Sequence, residues 1–84
     1  MIKILYFARL SETLNCKSEQ LEWSADLNTT AALVGLLKNR GEPFSSSFSD
    51  DEQVLVAVNQ TMAELSSGIS DGDEVAFFPP VTGG

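Results

Sequence analysis

The chain has no histidine and one cysteine among its 84 residues. Without histidine, the usual general base beside a serine or cysteine nucleophile is missing, and so is the commonest nitrogen ligand for zinc. With Cys16 alone there is no internal disulfide framework. Cys16 lies in the polar stretch "TLNCKSEQ", where it reads as a bystander thiol. Cations are also scarce: five Lys and Arg stand against twelve Asp and Glu, for a net charge of −7. Neutralising phosphates needs Lys and Arg, so nucleic acid is excluded as a partner, and an anionic membrane surface with it. A protein with a basic face is steered toward such a chain instead. No apolar run approaches the length needed to span a bilayer. The opening "MIKILYFARL" alternates and lacks a following small-residue cleavage site, so it reads as a strand and not as a signal peptide. A single domain in the cytoplasm is the expectation, with no membrane association, no metal site and no cofactor bound by the chain itself.

What is present is a short series of well-marked elements. Met1 to Ala8 is β-rich, with Ile2, Ile4 and Tyr6 on one face and Lys3, Leu5, Phe7 and Arg9 on the other. Glu19 to Ser24 alternates again, placing Leu21 and Trp23 together. A short polar loop joins the two into a hairpin. "LNTTAALVGLLKNRGEP" predicts a helix capped by Asn28 or Thr29 and stopped by Gly41 and Pro43, with Leu33, Leu36 and Leu37 toward the core. Gly35 weakens it, through either close packing or simple tolerance. "FSSSFSDDEQ" reads as a loop with one helical turn, and its acidic run Asp50 to Glu52 as a solvated patch. A third strand starts "VLVAV", turns at Asn59-Gln60 and returns from Met62. A turn at Asp71-Gly72 leads into a last strand, Glu74 to Phe78, which Pro79 and Pro80 end because proline donates no backbone hydrogen bond. The order is that of an α+β domain, a mixed sheet with one main helix on one face. It resembles the β-grasp, or ubiquitin-like, arrangement, with the first and last strands adjacent at the centre.

One helix covers one face of a sheet. If Ile2, Ile4, Val75 and Phe77 contact the helix, then Leu5, Phe7, Met62 and Phe78 lie on the uncovered side. A patch of large apolar residues on a small acidic chain marks a partner interface. Beyond it runs a flexible tail, residues 79–84, "PPVTGG". Six residues reach roughly 20 Å when extended, and the two prolines favour a stiff exit. Val81 and Thr82 offer backbone to a groove, while Gly83 and Gly84 have no Cβ, so partner walls can close around them. Such a tail delivers the carboxylate of Gly84 into another protein's active site. A carboxylate must be activated before it reacts, most simply as an acyl-adenylate. The chain has no phosphate-binding loop, so ATP and magnesium belong to a separate activating enzyme. The activated acyl group then passes to a sulfur donor or to an amine.

"MIKILYFA", "AVNQT" and "DGDEVAFFPPVTGG" resemble the family of small, sulfur-carrying subunits of molybdopterin synthase, a β-grasp family of the molybdenum cofactor pathway. The terminal block is specific; Ser11 to Gln53 matches in pattern only. The resemblance implies that Gly84 is the catalytic residue, adenylated by a dedicated activating enzyme and converted to a thiocarboxylate with sulfur from a donor system. It implies that Pro79, Pro80, Val81, Thr82 and Gly83 insert into the large subunit, within a heterotetramer of two small and two large subunits. There the sulfur attacks cyclic pyranopterin monophosphate to build the molybdopterin dithiolene. By position, Phe7, Met62 and Phe78 match the family's apolar docking face. The resemblance assigns no role to Cys16 or to the 41–53 loop. Three other readings stay open: a sulfur carrier for the thiamine thiazole, a ubiquitin-like protein modifier, and an adaptor that uses the apolar face alone.

Overall fold

Alternating apolar side chains build a five-stranded mixed sheet in the computed structural model, which describes residues 1–49 and 54–79. The strands are β1 (Ile2–Tyr6), β2 (Ser18–Leu21), β3 (Leu55–Val58), β4 (Thr61–Ala63) and β5 (Glu74–Phe78), in the order β2-β1-β5-β3-β4. β1 and β5 run parallel at the centre, and the other neighbours are antiparallel. Three helices, α1 (Ala8–Leu14), α2 (Thr30–Lys38) and α3 (Phe44–Ser47), complete an α+β domain. Ile2, Ile4, Val75 and Phe77 are essentially inaccessible and share one core with Leu33 and Leu37 of α2.

Local chemistry explains most of the boundaries. Thr29 caps α2, its side-chain oxygen accepting from the Ala32 N–H at 3.1 Å. Asn59 and Gln60 both take positive φ, 50° and 69°, as a two-residue hairpin turn requires. Asn59 tolerates this because its side chain is engaged: its amide oxygen accepts from the Glu74 N–H at 3.0 Å. Pro79 follows β5 and has no N–H to extend the ladder.

Five expectations need correction. The connection between β1 and β2 is not a polar loop but α1, seated by Leu10 and Leu14, which lie four apart on one face and are buried. β1 stops at Tyr6, because Ala8 adopts φ 53° and turns the chain out of the sheet, so Arg9 belongs to α1 and not to the sheet face. β2 ends at Leu21, leaving Trp23 outside the strand, packed against the core. Leu36 is 41% exposed, since the buried stripe of α2 runs Thr30, Leu33, Leu37 and Leu36 falls off its edge. Phe48 supplies core volume from the stretch read as a loop, its ring edge-on to Phe77 at 5.0 Å.

The structure also decides between the two readings of Gly35. A Cβ built there meets nothing within 4 Å, so close packing is not the reason for glycine. Gly35→Ala removes the entropic penalty of a helix-interior glycine, and stability should rise by about 1 kcal/mol. In a thermal melt that is a gain of roughly 4–8 °C for a domain of this size. An unchanged or lower midpoint would contradict it.

Candidate functional site: the open sheet face and the root of the tail

The register places the apolar side chains of the uncovered face in two rows. Leu5 stands opposite Ala76, Ala76 opposite Ala57, and Ala57 opposite Met62, so one row crosses four strands. The next row pairs Phe78 with Leu55, and the Phe7 ring stacks on Phe78 at 4.8 Å with the planes 8° apart. Met62 is 62% exposed and Phe7 41%. Leu5 and Phe78 are half-buried. The two alanines lie nearly buried between the larger side chains, forming a low floor. Among the described residues no helix covers this face; α2 packs on the other. The sequence reading therefore brought Leu5, Phe7, Met62 and Phe78 together on one face, and the structure adds Leu55. Leu55 was legible too: within "VLVAV" it has the opposite parity to the inward-facing Val56.

The two phenylalanines of β5 divide their work. Phe77 is 1% exposed, stacked on Tyr6 and crossed by Phe48. It pins the end of β5 into the core. Phe78 points the other way, onto the open face. The Phe7 N–H donates to the Phe77 carbonyl at 3.1 Å, carrying the β1–β5 ladder one residue past Tyr6. The chain thus leaves the sheet from a doubly fixed point. Pro79, half-buried, is the last described residue. Pro80, Val81, Thr82, Gly83 and Gly84 lie outside the described residues, as does the acidic run at 50–52.

Shifted ionisations cluster on the helix side. Arg40 clamps Glu19 with two bonds of 2.7 and 2.8 Å, and the Tyr6 hydroxyl donates to the same carboxylate at 2.8 Å. The guanidinium bonds hold the Glu19 carboxyl below its ordinary 4.5, against the opposing effect of burial. The contribution of this clamp to stability is present above that value and is lost as pH falls through the depressed one. Burial, then the Glu19 bond, raises the Tyr6 phenol. This cluster ties β2 to the end of α2 and faces away from the open side. Among the described residues, no group of His, Cys, Asp and Glu is arranged to hold a metal ion, and no helix is long and apolar enough to cross a membrane.

An uncovered apolar face thus ends at Pro79, the first residue of the Pro-Pro-Val-Thr-Gly-Gly segment. Comparison with known proteins places the chain in a family. Residues 4–84 match the ThiS family. The chain belongs to that family. The Escherichia coli molybdopterin synthase sulfur carrier subunit is 40% identical over 84 residues, covering all of both chains. Two solved structures show the same β-grasp fold at 29% identity. One is SAMP1 from Haloferax volcanii, with a TM-score of 0.77 over 99% of this chain and 98% of that one. The other is a putative molybdopterin converting factor subunit 1 from Pyrococcus furiosus, with a TM-score of 0.76 over 95% and 97%.

Proposed function

We propose that this ThiS-family protein is the sulfur carrier of a molybdopterin synthase, working with a large subunit in the cytoplasm. The observation that carries the reading is the continuity of the Leu5, Phe7, Met62 and Phe78 face with Pro79, so that one partner surface covers the face and receives the tail. The full-length likeness to the Escherichia coli molybdopterin synthase carrier supports the pterin pathway over the thiazole one.

Gly84 is the reacting residue in this proposal. A carboxylate oxygen of Gly84 attacks the α-phosphorus of ATP in a separate activating enzyme, releasing pyrophosphate and leaving an acyl-adenylate. Sulfide-level sulfur (HS−) from the donor system then displaces AMP, and Gly84 becomes a thiocarboxylate. In the large subunit its sulfur attacks an oxygen-bearing carbon of cyclic pyranopterin monophosphate, and the carbon–oxygen bond there breaks as the carbon–sulfur bond forms. Hydrolysis of the acyl link frees the sulfur on the pterin and restores the carboxylate, and two such transfers complete the dithiolene. Pro79 to Gly83 position the terminus, and the acid–base groups belong to the large subunit.

The intact mass of the protein taken from cells tests this. A population in which sulfur replaces one oxygen, about 16 Da heavier and mapped to Gly84, is expected, and it should disappear when the activating enzyme is deleted. A second reading, a ubiquitin-like modifier, draws on the likeness to SAMP1. Gly84 found in amide linkage to lysines of many proteins, with no thiocarboxylate, would favour that reading over ours.

A further inference from the structure

A cleft of about 440 Å³ opens beside the root of the tail, between α1, α3 and Pro79. Arg9 and Thr13 line it from α1, Ser46 and Ser47 from α3, with Leu10 behind them. Arg9 and Thr13 are four apart, hence on one helical face. Arg9 is the one charged residue that the described part of the chain places in this wall. The Ser46 hydroxyl donates to Glu42, which leaves Thr13 and Ser47 as the other hydroxyls of the wall. The cleft lies where the tail leaves the sheet: Pro79 lines it and follows Phe78 directly, and Arg9 follows Phe7 by two residues.

We propose that this cleft is the socket for an acidic side chain of the enzyme that receives the tail. The inference rests on the carrier reading above and adds the chemistry of a second contact to it. A cleft whose one charged lining residue is an arginine and whose other polar lining residues carry hydroxyls matches a carboxylate, which a guanidinium holds with two parallel bonds. A doubly charged phosphate calls for more donors than this wall offers. The surroundings make the contact selective. On a chain of net charge −7, a partner's surface is complementary when it is basic, and a carboxylate on that surface is repelled almost everywhere. Lys3 is an exposed cation on the sheet face itself, whereas Arg9 accepts a carboxylate off that face, beside the tail's exit, so the Arg9 pair fixes the rotation of the partner about that exit. Apolar contacts between Phe7, Phe78 and a flat partner surface do not set that angle. Charge complementarity of this kind contributes to register more than to raw affinity.

The test measures binding of the purified large subunit of molybdopterin synthase to the wild-type chain, Arg9→Glu and Thr13→Asp, at low and high salt. Both variants should bind about tenfold more weakly at low salt, with the difference shrinking as salt screens the contact. Their melting temperatures should stay at the wild-type value, because Arg9 and Thr13 are exposed. Long-range attraction acts as an internal control: each variant makes the chain more acidic and so speeds encounter with a basic partner, and a loss of affinity is therefore local. Binding of both variants within about twofold of wild type at every salt concentration overturns the socket. So does stabilisation of the wild type, but not of Arg9→Glu, by inorganic phosphate at matched ionic strength, which would make the cleft a small-anion site. Failure of the wild type itself to bind overturns the carrier reading and the socket together, a pattern distinct from the first two.

Discussion

Removing Gly83 and Gly84 should abolish sulfur transfer completely while leaving the large subunit bound within about tenfold of its original affinity. The two effects separate because they depend on different parts of the chain. In the proposal, binding draws on the apolar rows of the sheet face, which the truncation does not touch. Chemistry depends on where the terminal carboxylate lies. Losing two residues moves that group back by about 7 Å and places it on Thr82, whose Cβ must enter space suited to a bare backbone. A displacement of even 1 Å from the reactive geometry can cost about a hundredfold in rate, so a shift several times larger leaves no measurable turnover. The assay is reconstitution of molybdopterin formation from purified subunits, with the affinity of the truncated chain measured alongside. An adaptor working through its apolar face alone would keep its function when truncated. If the truncated chain supports molybdopterin formation, the carrier proposal fails.

The sheet was legible in the sequence and the connection after β1 was not, for a physical reason. β5 could be bounded at Glu74 and Phe78 because Asp71-Gly72 and Pro79 punctuate it on both sides. The parity of Val75 and Phe77 against Phe78 then assigned the faces, since side chains of a strand alternate strictly. Thr29 and the Asn59-Gln60 turn declared themselves through cap and turn chemistry. By contrast, α1 spans seven residues, too short for a 3.6-residue period to repeat convincingly. Its signal is the spacing of Leu10 and Leu14 followed by Asn15, which closes the helix at φ 53°. Phe48 was hidden for a different reason: a single aromatic among serines and acids carries no period, and only the tertiary fold brings it against Phe77. Leu36 shows the converse error. A leucine three residues from Leu33 satisfies a helical template, yet one helix on a narrow sheet buries a stripe and not a half-cylinder. The cleft beside Arg9 depends on α1, α3 and Pro79 meeting in space, which local patterns do not encode. The proposed reactive end is a different case: "PPVTGG" suggested a chemistry through composition, and its residues beyond Pro79 lie outside the described ones.

Adjacent phenylalanines of β5 give the sharpest contrast. Phe78→Asp should eliminate binding to the large subunit and leave a folded domain, whereas Phe77→Ala should destabilise the domain by about 3–5 kcal/mol. Phe78 projects onto the open face, where an aspartate keeps its hydration in the free chain. The folded state loses the stack on Phe7, worth about 0.5–1.5 kcal/mol. In the complex the same carboxylate would lie desolvated against an apolar partner surface, beside the Leu55 and Phe7 side chains, and a buried unpaired charge is not tolerated. Phe77 faces the other way. It is 1% exposed and touches Tyr6 and Phe48, so truncation opens a cavity at the junction of β1, β5 and α3. A loss of 3–5 kcal/mol is a large part of the roughly 5–15 kcal/mol that stabilises a typical domain. The same junction carries the first residue of the tail, so Phe77→Ala should also loosen Pro79 and reduce transfer even where the domain stays folded. Urea unfolding of both variants, with binding measured on the folded Phe78→Asp protein, checks the pair. If Phe78→Asp unfolds as readily as Phe77→Ala, Phe78 is a core residue and the open face does not exist as a docking surface. If it is stable and still binds, the partner engages the tail alone, and the rows from Leu5 to Met62 have no part in recognition.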